Sequence, residues 1–560
     1  MTDIRRTILW VIFGFSLVLL WDQWQLHNGR PATFFPSPAK VASAPAQTPS
    51  STLPTPSTTL TPSTAAAGTP ASVPGAPAPA AAAEKIVVTT DLMRLTFSTE
   101  GGSLVRTELL GIKTDDGKNT FVLFNDTGDT YVAESGLIGG DFPNHKTVMT
   151  MTGPREMAAG QNEVAIRFES PEKNGVKLVK TYTVQRGSYA IAVKHEVVNT
   201  GSQPVAPQLY VQLVRDGSKM PSGSSFYATF SGPAVYTPEK KFEKIELSDI
   251  DKNKADFNKT SNAGWVAMVQ HYFASAWILP EGVKREMFVR KLPDSSIYSI
   301  GMIAPVATVA PGQAQAINAR LFAGPQDERV LEKLEPGLDL VKDYGIFTII
   351  AKPLYWLLEK LHGILGNWGW AIVALVFLIK AAFYWLQAKG YESMAKMKAI
   401  NPKVMAMRER YKDNPQQMQQ EMMRIYKEEK VNPMGGCFPI LVQIPVFIAL
   451  YWVLLASVEM RGAPWIGWIR DLAAPDPFFI LPLLMTATTL LQTALNPLPP
   501  DPVQAKLMWF MPLAFSVMFF FFPSGLVLYW LTNNILSIAQ QWLINKRMGV
   551  PPQFNLPKFG

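Results

Sequence analysis

WGWAIVALVFLIKAAFYWL, residues 368–386, is apolar throughout except at Lys380. A cation inside a bilayer costs roughly 2.5–3.5 kcal/mol at a helix centre on insertion scales, so its presence asks for a reason, although Lys380 lies toward the cytoplasmic end of the run. The run belongs to a longer one, 363–386, and further apolar runs follow at 434–458, 478–495, 507–522 and 525–544. Each is of a length that can cross a hydrocarbon core of about 30 Å. A shorter run, 7–21, follows Arg5 and Arg6 and raises the expectation to six spans, five of them a C-terminal core at 362–545.

The chain has 560 residues, with Lys and Arg numbering 52 against 44 Asp and Glu, a net charge of +8. That excess fits nucleic acid or the cytoplasmic loops of a membrane protein, and its position beside the apolar runs favours the second. The segment 389–430 carries ten Lys or Arg, Lys546 and Arg547 follow the last run, and the loop around Arg461 and Arg470 is poor in cations. The N-terminus, the 389–430 loop and the basic tail 546–560 are therefore expected in the cytoplasm.

Asp22, Gln23, Trp24, Gln25 and Leu26 follow the first run without a small-residue cleavage pattern, so 1–30 reads as an uncleaved signal anchor. A cleaved signal is the alternative, because the apolar core is shorter than the about 20 residues a span needs. Residues 31–85 form a linker whose only charge from 31 to 83 is Lys40, too poor in large apolar groups to fold.

Between 86 and 327 the pattern alternates: Tyr189, Ile191, Val193 and Val197 share one parity, Ala190, Ala192, Lys194 and Glu196 the other. Turn clusters at Glu100-Gly101-Gly102, Asn199-Thr200-Gly201 and Pro311-Gly312 punctuate such runs. An all-β antiparallel sandwich on the extracytoplasmic side is the expected fold of this region. The segment 328–361 then shows Phe347, Ile350, Leu354, Leu357 and Leu361 at helical spacing, broken by Lys352, Pro353 and Glu359. It reads as an interfacial amphipathic helix, with an imperfect seventh span as the other reading.

Enzyme chemistry finds little support. Cys437 is the only cysteine, and His27, His145, His195, His271 and His362 lack partners at metal-ligand spacing. No phosphate loop, nucleophile elbow or His-Glu-x-x-His motif occurs, so neither metal nor cofactor is expected.

Polar residues in the last run mark one helix face: Trp530, Asn533, Asn534, Ser537, Gln540 and Gln541. Thr489, Gln492 and Thr493 do the same in the run from 478, and Gln443 adds a polar group to the run from 434. Together with Lys380 these suggest a wetted cavity, with Lys380, Trp530, Asn533, Asn534, Ser537, Gln443, Gln492 and Thr489 as its candidate residues. Two plainer readings remain open, a snorkelling lysine and polar faces that bond one another in a dry bundle. Between the second and third runs, 388–432 reads as a cytoplasmic helical hairpin broken at Asp413-Asn414-Pro415. Its Met394, Met397, Met407, Met418 and Met422 either touch hydrophobic nascent chains or pack the hairpin itself.

Met394-Ala395-Lys396-Met397, Asn401-Pro402-Lys403, Met407-Arg408-Glu409-Arg410, Val431-Asn432-Pro433-Met434-Gly435-Gly436-Cys437-Phe438-Pro439 and Phe522-Pro523-Ser524-Gly525-Leu526-Val527-Leu528-Tyr529 resemble the YidC membrane protein insertase family over about residues 340–545. The anchor, linker and β domain resemble its Gram-negative form, whose large periplasmic domain is a β-supersandwich similar to sugar-mutarotase folds. The resemblance implies an insertase and chaperone of the bacterial inner membrane. It implies nascent membrane proteins, the lipid bilayer, the Sec translocon and the ribosome as partners, with delivery by the signal recognition particle pathway. The implied site is a hydrophilic groove open to the cytoplasm and lipid. Lys380 falls where the family usually has Arg, keeping the charge but not the bidentate fork. Trp530 falls where some members have a substrate-contacting Tyr.

A channel or secondary transporter also uses intramembrane charge, but no inverted repeat is visible. A tethered sugar-processing enzyme would need an acid/base pair in a pocket of the β domain.

Overall fold

The computed structural model describes residues 83–114, 117–217, 230–411, 414–429, 438–496 and 502–549. The anchor expected at 1–30, nearly all of the linker and the tail from 550 onward lie outside them. The described residues form two compact units, divided between Lys342 and Asp343.

The first unit is a sandwich of two antiparallel sheets. One follows the order β1 (Lys85–Thr89), β2 (Met93–Ser98), β3 (Ser103–Lys113), β5 (Tyr131–Ile138), β10 (Gln208–Asp216), β17 (Ile297–Pro305), β16 (Arg285–Lys291), β13 (Thr260–Ser261), with β4 (Thr120–Phe124) beside β3. The other runs β12 (Lys241–Lys244), β11 (Gly232–Thr237), β14 (Trp265–Val269), β15 (Phe273–Ile278), β18 (Ala314–Pro325), β9 (Ala190–Asn199), β8 (Val176–Gln185), β7 (Glu163–Glu169), β6 (Thr150–Thr152). In β9 the alternation holds: Ile191, Val193 and Val197 are buried, Ala192 and Lys194 exposed. Phe97, Phe168, Tyr182, Ile191, Ile300 and Trp277 belong to one core cluster drawn from both sheets.

The turn at Gly101 and Gly102 takes positive φ of 72° and 55°, which side chains other than glycine rarely adopt. A Cβ on Gly101 would lie 2.4 Å from the His145 carbonyl oxygen. Buried groups of β8 hold this turn: Lys180 Nζ donates to the carbonyls of Gly101 (2.6 Å) and Ser135 (2.7 Å), and Tyr182 Oη to that of Gly102 (2.6 Å). Desolvation pushes the Lys180 ammonium down to about 7, with Glu134 opposing.

Two histidines make the sandwich acid-sensitive. Burial pushes His145 and His195 down to about 3, helped by Lys146 and Lys180 near the first and Lys180 near the second. An unfolded histidine titrates near 6.5, so the unfolded chain binds more protons than the folded one between about 6.5 and 3. Stability is therefore lost as pH falls through that window, by at most about 1.4 kcal/mol per histidine per pH unit. Glu134, raised by burial, takes up its proton early and offsets part of this loss. The urea midpoint of a fragment spanning 83–342 should fall between about pH 7 and pH 4, and His195→Gln should reduce that fall by roughly half. A midpoint unchanged over this range would contradict the burial argument.

The second unit is helical: α1 (Thr348–Leu365), α2 (Trp368–Ala382), α3 (Tyr384–Arg410), α4 (Pro415–Glu428), α5 (Phe438–Ala456), α6 (Ile480–Leu495), α7 (Pro502–Met518) and α8 (Ser524–Arg547). Among the described residues no single helix is long and apolar enough to cross a membrane; α2 with the first part of α3, to Met397, passes as a pair bent by 68°. The run read as continuous to residue 386 thus breaks at Phe383. Gln540 Nε2 donates to the carbonyl of Tyr384 (3.2 Å) beside the break.

The stretch 328–361 is not one element. Helix Glu328–Leu334 belongs to the sandwich unit, capped by the Asp327 carboxylate, with Leu331 packed in the cluster around Trp265. α1 begins later and buries Ala351, Tyr355 and Leu358, one residue on from the apolar stripe read in the sequence. Tyr355 Oη donates to Glu459 (2.6 Å), which fixes that rotation. Ile350, Leu354 and Leu357 instead line an open groove of about 500 Å³ with Leu378, Ile379 and Val446. Ile349, Trp356 and Ile364 are exposed.

Candidate functional site

α8 is the element on which the site is built, packing against α2, α3, α5 and α6. Its start is fixed by the loop before α6: Ser524 donates its backbone N–H and its hydroxyl to Ala474 O, each at 2.8 Å, and Gly525 N donates to Leu472 O (2.9 Å). Gly525 is close to that loop, since a Cβ there would meet Leu472 O at 3.2 Å. The buried Asp476 carboxylate, 1% exposed, organises the same loop. It accepts from Trp468 Nε1 (3.0 Å), Phe478 N (3.0 Å) and Leu481 N (2.7 Å) in the first turn of α6.

At the other end of α2, Asn367 caps the helix by accepting from Trp370 N (3.1 Å), and Gly366 closes α1 at φ 66°. Gly369 lets Trp465 approach, because a Cβ there would fall 2.2 Å from that ring. α2 is thus held at its N-terminal end, and Lys380 lies buried in its last turn.

Lys380 is 8% exposed. Its ammonium donates to Ser537 Oγ on α8 (2.7 Å) and Gln387 Oε1 on α3 (3.3 Å). Gln387 Nε2 donates to Gln443 Oε1 on α5 (3.0 Å), and Gln443 Nε2 to Asn533 Oδ1 on α8 (3.4 Å). Ser537 Oγ donates to Asn533 O (2.7 Å). One chain of neutral amides and a hydroxyl therefore links four helices around a cation. Among the described residues no carboxylate pairs with Lys380. An ammonium has three donor positions, and these partners use two.

A second group lies on the α6 side of α8. Asn534 Nδ2 donates to Thr489 Oγ1 (2.8 Å) and Thr488 Oγ1 (3.4 Å), while Gln541 Nε2 donates to Asn496 Oδ1 (3.1 Å). Thr489 and Thr493 return their hydroxyls to the helix carbonyls of Met485 and Thr489 (2.8 and 2.9 Å). In this half the polar side chains bond from helix to helix. Trp530 stands in an aromatic cluster, edge-on to Phe447 (4.4 Å between centroids) and Phe519 (4.6 Å). Gln492 is half-buried and joins none of these bonds.

The structure thus gathers Lys380, Gln443, Asn533 and Ser537, sets Thr489 and Asn534 in a neighbouring pair, and leaves Gln492 apart. Gln387, absent from the sequence-derived set, is the link between the cation and α5. It lies on α3, past the break at Phe383, so helical spacing from Lys380 does not reveal it.

In the hairpin, Met397 and Met422 pack with Ile400, Val404, Ile425 and Tyr426. Met407 is buried and Met394 and Met418 are half-buried, whereas Met405 and Met423 are exposed. Lys403 pairs with Glu429 (2.5 Å) across the hairpin.

The described residues thus join a sandwich of two antiparallel sheets to a helical unit in which a buried ammonium is held by neutral acceptors. Residues 85–357 match the family described as YidC periplasmic domain, and 360–550 that described as 60Kd inner membrane protein. The chain belongs to the YidC membrane protein insertase family. It is 57% identical to the membrane protein insertase YidC of Cupriavidus necator over 98% of both chains. The same identity and coverage hold for that of Ralstonia nicotianae. A crystal structure of active YidC insertase with its first transmembrane domain resolved matches at 18% identity and TM-score 0.38, covering 81% of this chain and 91% of that one.

Proposed function

We propose that this protein inserts and folds nascent proteins of the bacterial inner membrane, alone or beside the Sec translocon, through a hydrophilic groove around Lys380. The observation that carries the reading is the Lys380 ammonium held by Ser537 and Gln387 without a carboxylate. A buried cation paired with an acid would be neutralised and inert toward a substrate. One held by neutral acceptors keeps its field for an incoming anion.

In this reading the helical unit forms a five-span core behind an N-terminal anchor, with both termini cytoplasmic and the sandwich periplasmic. A polar or acidic tail of the substrate enters the groove, where the amides replace part of its hydration and Lys380 offsets its charge. Its apolar segment meanwhile partitions into lipid by its own transfer energy. No covalent step is involved. The cations of the hairpin and the basic tail meet the ribosome, and the exposed Met405 and Met423 of the hairpin touch hydrophobic segments of nascent chains. Delivery by the signal recognition particle pathway fits the same cytoplasmic face.

Proteoliposomes test this directly. Vesicles containing only this chain should protect the translocated tail of a short single-span substrate from added protease, and empty vesicles should not. Solute flux without nascent chain and no protection of substrate would favour a channel or transporter instead.

A further inference from the structure

Two exposed tryptophans near the Lys380 network each carry a lysine one turn further along the same helix. Trp385 on α3 is 67% exposed, and Lys389 Nζ stands 3.7 Å from its ring centroid. Trp542 on α8 is 46% exposed, and Lys546 Nζ stands 5.2 Å from its ring. Both lysines are exposed and neither has a carboxylate partner among the described residues. The contact of Gln540 with the Tyr384 carbonyl brings α3 and α8 together within about one helical turn of both rings. Each ring has an apolar body suited to the glycerol and upper acyl region, and each ammonium lies one turn toward water. A bare cation held over a ring leaves its outer donors for a phosphate.

We propose that Trp385 with Lys389 and Trp542 with Lys546 are headgroup sites for anionic phospholipid on the cytoplasmic side, flanking the entrance to the Lys380 groove. The proposal rests on the membrane setting proposed above. Its use would be local: the two lysines hold anionic headgroups on the exposed faces of α3 and α8, and the Lys380 ammonium lies among the helices. A juxtamembrane lysine favours anionic lipid by about fivefold.

The test uses the full chain in vesicles containing brominated phosphatidylglycerol or brominated phosphatidylcholine at equal mole fraction, with quenching of tryptophan fluorescence as readout. The component lost in the Trp385→Phe, Trp542→Phe double variant should be quenched several-fold more by the anionic lipid. Lys389→Gln with Lys546→Gln should abolish that preference while leaving quenching by phosphatidylcholine unchanged, and circular dichroism should confirm an intact fold. Equal quenching by the two lipids overturns the headgroup sites and leaves the membrane setting standing. A preference that survives both lysine substitutions also overturns them. Absence of quenching by either lipid overturns the membrane setting and the sites together. Unchanged lipid preference with weakened binding of the double lysine variant to ribosomal RNA would assign these cations to RNA instead.

Discussion

Lys380→Ala should cut insertion of substrates with acidic translocated tails by roughly fivefold or more, while Lys380→Arg keeps most of it. Two unit charges 4 Å apart attract by about 4 kcal/mol at an effective dielectric of 20, and a quarter of that is already about fivefold. The alanine variant removes the charge and leaves Ser537 and Gln387 with an acceptor each to satisfy, which water can do in a hydrated groove. Arginine restores the charge but must fit a larger planar group between α2, α3 and α8. Substrates with neutral or basic tails gain nothing from the cation, so their insertion should be nearly unaffected. Protease protection in a strain depleted of its own insertase measures both classes side by side. Equal loss for acidic and neutral tails would assign Lys380 a structural role.

Asp476→Ala should be the most destabilising single change in the helical unit outside the groove. The carboxylate is 1% exposed and accepts from Trp468 Nε1, Phe478 N and Leu481 N. Removing it strands the buried Leu481 N–H and leaves the part-buried Trp468 and Phe478 donors to water, and a buried unpaired donor costs about 1–3 kcal/mol, so a loss of about 2 kcal/mol is expected. The damage should spread, because the same loop supplies the Ala474 and Leu472 carbonyls that receive Ser524 and Gly525 at the start of α8. Asp476→Asn keeps one acceptor oxygen and should recover part of the loss. Thermal unfolding of the purified protein in detergent reads this, and an alanine variant that melts with the wild type would show the donors find other partners.

The sandwich was legible because its signal is local. A strand buried on one face must alternate, as β9 does from Ile191 to Val197, and its turns must supply positive φ, as Gly101 and Gly102 do. The polar face of α8 was legible for the same reason, and the structure places Asn533, Asn534 and Ser537 against neighbouring helices. What escaped was set by tertiary contact. The break at Phe383 carries neither proline nor glycine, and the Tyr384 carbonyl there accepts from Gln540, 156 residues away in sequence. α1 turns its Ala351, Tyr355 and Leu358 face inward because Tyr355 meets Glu459, a pairing no periodicity reveals. Gln387 was missed because the apolar run was taken to end one residue before it.

Site-specific photocrosslinking to a stalled nascent chain tests the groove itself, with a photoreactive phenylalanine placed at Trp530 and, as a control, at the exposed Ile535 on the same helix. Adducts with the nascent chain from position 530, weakened when Lys380→Ala is combined with an acidic-tailed substrate, are the predicted result. Adducts with lipid alone from position 530, whatever residue occupies position 380, would contradict the account.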